Sequence, residues 1–219
     1  MSRTRIKFCG MTRAEDVRLA VELGVDYIGL VFAPRSPRRV LLGQGRMLRE
    51  LVPEHIAVVA LAMDNAAAEI EAILENVAPD LLQFHGAEDD AFCAGFGRPF
   101  LKAIAMGGAH EDDGRARAAS FPSAHGYLFD GHGVGEQGGS GKRFDWKRLP
   151  HDLGKPVFLA GGLNDANVGV AIRSARPWGV DLSSGIESAP GIKDGEKMRR
   201  LLDAARHADI SVTSEASSL

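Results

Sequence analysis

Val157-Phe-Leu-Ala160-Gly161-Gly162-Leu-Asn164-Asp165, answered one helix length later by Gly179-Val-Asp-Leu182-Ser-Ser-Gly185, is the stretch on which the fold turns. Its first four residues form a continuous apolar run, the pattern of a strand buried on both faces of a parallel sheet. Glycines follow at once, and Asn164 or Asp165 stands where a helix takes its N-cap. The second run again ends in small polar residues. Outward from this pair the same alternation fills almost the whole chain. Strand candidates lie at residues 5–9, 27–32, 57–62, 81–84, 101–105, 127–130, 157–160 and 179–182. Between them lie amphipathic stretches. Residues 13–23 gather Val17, Ala20, Val21 and Leu23 on one face, with Thr12 and Glu15 as a capping box. Residues 65–76 repeat Ile70, Ile73 and Leu74 and run on to Val77 behind an Asn65 cap, and residues 194–207 repeat Met198, Leu201, Leu202 and Ala205. Eight strands, each with a helical pattern behind it, predict one closed (β/α)8 barrel of α/β class rather than an open doubly wound sheet. It would be a compact example, since such barrels typically need ~250 residues. Residues 1–208 read as a single catalytic domain. Residues 209–219 hold four serines and no helical stripe, and are expected to form a disordered tail.

Composition narrows the function. The chain has 219 residues, 45% hydrophobic and 25% charged, which is the profile of an ordinary globular protein. The net charge of −3 favours neither nucleic acid nor an anionic membrane. The longest strictly apolar run, residues 56–63, falls far short of the ~20 residues that span a bilayer. The N-terminus has no apolar segment behind its charges, so no signal peptide is expected. Cys9 and Cys93 make no disulfide framework or CxxC pair, and a reduced, cytoplasmic protein is the default.

In a barrel, chemistry gathers at the C-terminal ends of the strands. Here those ends carry Cys9-Gly10, Arg38 and Arg39, His85-Gly86, Asp130-Gly131, Gly161-Gly162 and Asp181-Leu-Ser183-Ser184-Gly185. The loops after strands 7 and 8 form the frequent phosphate site of this architecture, and their glycines and serines can present N–H and O–H donors to an anion. The long loop after strand 6, with Gly139, Ser140, Gly141 and Lys142, reads as a closing lid and lacks full P-loop spacing, because Arg143 follows Lys142. Asp130 closes an otherwise apolar strand, a costly place for a carboxylate without a purpose. Cys9 taken alone reads as a small packing residue; with Asp130 at the same mouth, the two could form an acid–base pair. Asp130, His132 and His85 offer metal-ligand chemistry, but their spacing matches no metal signature and no metal site is assigned.

Six motifs, in order, carry a resemblance. Lys7-Phe-Cys-Gly-Met-Thr12, Gly29-Leu-Val-Phe-Ala-Pro-Arg-Ser-Pro-Arg38, Leu82-Gln-Phe-His-Gly86, Gly138-Gly-Ser-Gly-Lys-Arg-Phe-Asp-Trp146, Leu159-Ala-Gly-Gly-Leu-Asn164 and Val180-Asp-Leu-Ser-Ser-Gly-Ile-Glu187 resemble phosphoribosylanthranilate isomerase over residues 5–206. The resemblance implies a (β/α)8 TIM barrel and an Amadori rearrangement in tryptophan biosynthesis, without cofactor or metal. By the same likeness Cys9 matches the general base, Asp130 the general acid, and Arg38 the residue that holds the anthranilate carboxylate, with Arg39 an adjacent rival. Gly162, Ser183, Ser184 and Gly185 fall in the phosphate loops, Gly139 to Lys142 in the lid, and Asp181 near the substrate. The expected partner is a phosphorylated ribosyl-anthranilate, bound by a monomer or homodimer. Rival readings are a metal-dependent pentose-phosphate epimerase, a histidine-pathway aldose isomerase, which would use a pair of aspartates whose first position is here Cys9, and a non-catalytic phosphate-binding regulator. For proton chemistry, an apolar mouth should raise the pKa of Asp130, and Lys7 should lower that of Cys9.

Overall fold

The structure is a computed structural model that describes residues 3–107, 114–133 and 144–216. Its eight parallel strands close on themselves in sequence order. They are β1 (Arg5–Cys9), β2 (Tyr27–Val31), β3 (Ala57–Ala62), β4 (Leu81–Phe84), β5 (Phe100–Gly107), β6 (Gly126–Gly133), β7 (Val157–Leu159) and β8 (Gly179–Leu182). The seam is the parallel pairing of β1 with β8, where Arg5 lies opposite Gly179 and Phe8 opposite Leu182. All eight expected strands are present. Helices α1 (Ala14–Glu22), α2 (Leu42–Arg49), α3 (Ala67–Val77), α4 (Asp90–Ala94), α5 (Arg115–Ala119), α6 (Val168–Ala175) and α7 (Gly195–Ala216) surround them. No described helix is long and apolar enough to cross a membrane.

The strands are largely apolar on both faces because each face has a different core to meet. Ile6, Phe8, Ile28, Leu30, Leu82, Phe84, Phe129 and Val180 point outward into the layer shared with the helices. Leu101, Ala103, Leu128, Phe158 and Ala160 fill the barrel interior. Cys9, Val31, Ala33 and Leu61 line its upper rim. Inward and outward positions alternate with the period of 2 that a strand imposes, so a polar residue at an inward position near a strand's C-terminus faces the mouth.

Four local expectations are corrected. Between β6 and β7 the described chain has only a 3₁₀ turn, Trp146–Arg148, instead of an α-helix. Pro150, Gly154 and Pro156 interrupt this segment, while Phe144 and Trp146 pack against the core. Thr12 does not cap α1: Arg13 occupies that position, and the Thr12 hydroxyl donates to the carbonyl of Gly191. Asn65, Asn164 and Asp165 are not helix caps either. The cap positions fall to Ala66 and Asn167, and the asparagines brace turns instead: Asn65 Oδ1 accepts from Met63 N, and Asn164 Oδ1 accepts from Ala166 N. Finally, no break occurs at residue 208. α7 continues to Ala216, and Asp209 accepts hydrogen bonds from the backbone N–H and hydroxyl of Thr4, tying the C-terminal helix to the chain's start.

Candidate active site

Lys7 and Cys9 occupy successive inward positions of β1, and the Cys9 side chain packs into the rim. The Lys7 side chain is fully buried, and Nζ lies 2.6 Å from Oδ1 of Asp181, the inward residue of the neighbouring strand β8. Burial alone would lower the pKa of this ammonium. The charges of Asp181 and Cys9 outweigh it and hold the Lys7 pKa above its ordinary value. Cys9 is corrected in direction: burial pushes its thiol up by more than Lys7 and Lys193 pull it down.

Across the mouth, Asp130 ends the apolar part of β6 as expected. Its pKa is also opposite to expectation. Burial raises it, but the neighbouring His132 and His85 together more than reverse that, so the carboxyl lies below its usual range. Oδ1 of Asp130 accepts from the backbone N–H of His132 and lies 3.3 Å from that residue's Nδ1. Oδ2 lies 3.7 Å from Nε2 of His85, which follows β4 at the same level. His85 is pushed down to about 4, chiefly by burial, and is neutral at physiological pH. Gln83, the inward residue two positions earlier and fully buried, lies 3.4 Å from His85 Nδ1.

Arg38 and Arg39 separate cleanly. A single parallel bridge between Val31 and Arg39 folds the loop after β2 back on the barrel. Arg38 is buried and lines the same mouth as Cys9 and Asp130, whereas Arg39 is exposed and lines a groove outside it. The Arg38 guanidinium makes a two-pronged ion pair with Glu187, Nε to Oε1 at 2.8 Å and Nη2 to Oε2 at 2.7 Å. This fixes the fork and leaves Nη1 and the far edge of Nη2 for a second carboxylate. Glu187 begins a small hairpin in the loop after β8, β9 (Glu187–Ala189) and β10 (Ile192–Lys193). Lys193 of that hairpin is buried; its Nζ donates to Glu187 Oε1, to the carbonyl of Cys9 and to the carbonyl of Ser183. No local sequence pattern assigns Glu187 or Lys193 a role. The only signal that could have found them was Pro190-Gly191, a turn flanked by two charges of opposite sign.

Gly161, Gly162, Ser183, Ser184 and Gly185 come together at the same mouth. The backbone N–H groups of Gly162, Ser184 and Gly185 donate to no other group of the described chain. Gly161 and Gly162 adopt φ of 89° and 62°, which turns the chain sharply away from β7. A Cβ on Gly185 would collide with the carbonyl oxygen of Leu163, so the two loops can approach this closely only with glycine there. The Asn167 amide donates to the Gly162 carbonyl and accepts from Asn164 N, pinning the first loop. The result is a rigid set of donors suited to an anion. Gly139, Ser140, Gly141 and Lys142 lie outside the described residues.

One mouth therefore brings together a buried thiol, a buried carboxyl, a fixed guanidinium and a set of backbone and hydroxyl donors from two loops, an arrangement chemically able to move protons beside anionic groups. Residues 6–204 match the family model for N-(5'-phosphoribosyl)anthranilate (PRA) isomerase. The chain is 53% identical over 210 residues to N-(5'-phosphoribosyl)anthranilate isomerase of Stenotrophomonas maltophilia strain R551-3, covering 96% of each. The corresponding enzyme of Xanthomonas euvesicatoria pv. vesicatoria strain 85-10 is 54% identical over 211 residues, covering 94% of this chain and 95% of that one. Among solved structures, phosphoribosyl anthranilate isomerase of Thermus thermophilus superposes with a TM-score of 0.82 at 32% identity, covering 93% of this chain and 99% of that one. A phosphoribosyl anthranilate isomerase in complex with reduced 1-(o-carboxyphenylamino)-1-deoxyribulose 5-phosphate gives 0.78 at 28%, with the same coverage.

Proposed function

The chain belongs to the phosphoribosylanthranilate isomerase family, and we propose from the geometry of its mouth which residues carry that reaction and how. The reaction is the Amadori rearrangement of N-(5'-phosphoribosyl)anthranilate to 1-(2-carboxyphenylamino)-1-deoxyribulose 5-phosphate, a step of tryptophan biosynthesis. The substrate phosphate sits against Gly161, Gly162, Ser183, Ser184 and Gly185, whose free N–H groups and hydroxyls replace its water. The anthranilate carboxylate takes the free edge of the Arg38 fork, held in aim by Glu187. These two anchors span the mouth and leave the ribose between Cys9 and Asp130.

Asp130, as the neutral acid, protonates the furanose ring oxygen. The C1–O bond breaks as the anthranilate nitrogen lone pair forms the C1=N bond of a protonated Schiff base. Cys9, as thiolate, then takes the proton from C2. The C2–H electrons form a C1=C2 double bond, and the C=N electrons return to nitrogen, giving an enolamine. Its tautomerisation, with C1 gaining a proton and the C2 hydroxyl losing one, yields the ketone. Lys7 faces the developing thiolate and stabilises it, with Asp181 keeping the ammonium in place.

The observation that carries this reading is the shared mouth of Cys9, Asp130, Arg38 and the glycine–serine loops. Cys9→Ser and Asp130→Asn should each lower kcat by about 10²–10⁴-fold while changing KM little. Near-full turnover in Cys9→Ser would make Cys9 a packing residue and send the search for the base elsewhere.

A further inference from the structure

His85, Asp130 and His132 form a cluster that the proposed reaction uses only through its carboxylate. One ligand atom from each lies within 4.8 Å of the others, and all three side chains are buried. The Asp130 oxygens stand 3.7 Å from His85 Nε2 and 3.3 Å from His132 Nδ1. Ligand atoms around a tetrahedral zinc, with bonds of about 2.0–2.1 Å, stand about 3.4 Å apart. The two imidazoles lean together, with ring centroids 4.7 Å apart. A second observation concerns His85 alone: its Nε2 is buried, faces the cluster and makes no hydrogen bond to the described chain. A buried, unpartnered imidazole nitrogen is costly unless something occupies it.

We propose that His85, Asp130 and His132 bind a divalent first-row transition-metal ion, zinc above all, and that the bound ion inhibits the isomerase by taking the carboxylate of Asp130 as a ligand. Two imidazoles and one carboxylate form a donor set that suits zinc, and since His85 and Asp130 line the open mouth, water can complete it. Gln83 completes the arrangement. Its amide can present either a donor or an acceptor to His85 Nδ1, so it can hold the ring in the tautomer whose Nε2 lone pair is free. A carboxylate bound to a metal carries no proton to give, so the ring-opening step stops. The inhibitory part rests on the role of Asp130 as the acid; the binding part does not.

Full-length protein stripped with a chelator and titrated with cobalt(II) tests the site directly. The expected result is one strongly coloured tetrahedral cobalt per chain, displaced by zinc, with turnover falling in proportion to occupancy and returning when chelator is added. His132→Gln and His85→Gln should each weaken cobalt binding by more than the roughly 10–100-fold that follows loss of an outer-shell partner. His132→Gln, at the end of its strand, is the variant to rely on if His85→Gln fails to fold. Cobalt binding that is absent, octahedral, or unchanged in His132→Gln overturns the site. Histidine-dependent binding with undiminished turnover overturns the inhibition and counts against Asp130 as the acid. The kcat of Asp130→Asn in chelator reads that acid role separately.

Discussion

Removing the proton from Cys9 is harder than in water, because the buried thiolate loses more hydration than Lys7 and Lys193 restore. Asp130 holds its proton less firmly than usual, because His132 and His85 outweigh its burial. In the reaction proposed above, the productive pair is protonated Asp130 with the Cys9 thiolate, which contains the same number of protons as the resting pair, ionised Asp130 with the Cys9 thiol. Its share of the population stays constant between the two pKa values and falls outside them. The expected kcat/KM profile is flat through neutrality, with an acid limb below the ordinary aspartate value of ~3.9 and an alkaline limb above the ordinary thiol value of ~8.5. Steady-state kinetics across pH checks this, and a bell centred on neutrality with limbs inside that window would contradict it. At Arg38 the expectation is a binding effect. Arg38→Ala should weaken substrate binding by about 1.5–3 kcal/mol, the range for a charged hydrogen bond. Arg39→Ala should leave KM unchanged, because Arg39 faces away from the mouth.

Among the elements, α7 and the β9–β10 hairpin do work that their composition conceals. α7 is anchored through Asp209, which accepts from Thr4 N at 3.1 Å and from the Thr4 hydroxyl at 2.6 Å. Arg206 donates to the Thr4 carbonyl from the same helix. Truncation after Ala208 should therefore cost about 1.5–3 kcal/mol, a melting shift of several degrees at about 2–4 °C per kcal/mol for a chain of this size. Thermal denaturation measured beside Asp209→Asn separates the contact from the rest of the helix; an unchanged melting temperature in the truncated chain would show that the anchor is idle. In the hairpin, Glu187→Gln keeps the shape but removes the charge that both Arg38 and Lys193 face. On the proposed roles its KM should rise while kcat changes less, since it frees the Arg38 fork and touches neither Cys9 nor Asp130.

For the whole molecule, the Lys7–Asp181 pair is a cross-link over the seam where the barrel closes, joining the first strand to the last from inside. An ion pair this deep is weak evidence of net stabilisation, but breaking one half leaves a buried charge without a partner. Asp181→Ala should destabilise the barrel by about 3–5 kcal/mol in chemical denaturation. Replacing both groups, Lys7→Met with Asp181→Leu, should recover much of that loss while leaving the enzyme inactive. If the single and double variants unfold at the same denaturant concentration, the pair does not hold the seam.

The eight strands were legible in the sequence because a strand buried on both faces must be apolar throughout, which is a local property. Cys9, Asp130 and Asp181 were legible for the same reason, as polar interruptions near the ends of apolar runs. What lay beyond the sequence were the facts that depend on distance through space. Glu187 meets Arg38 from 149 positions away, and no local pattern records that a hairpin after the last strand reaches the loop after the second. Asp209 meets Thr4 across almost the whole chain through hydrogen bonds, a contact that hydrophobic periodicity does not detect. The ionisation of Cys9 and Asp130 runs opposite to what the sequence suggests, because a pKa balances desolvation against every nearby charge. Sequence names the charges; only the folded barrel sets how deeply Cys9 is buried and that two histidines flank Asp130.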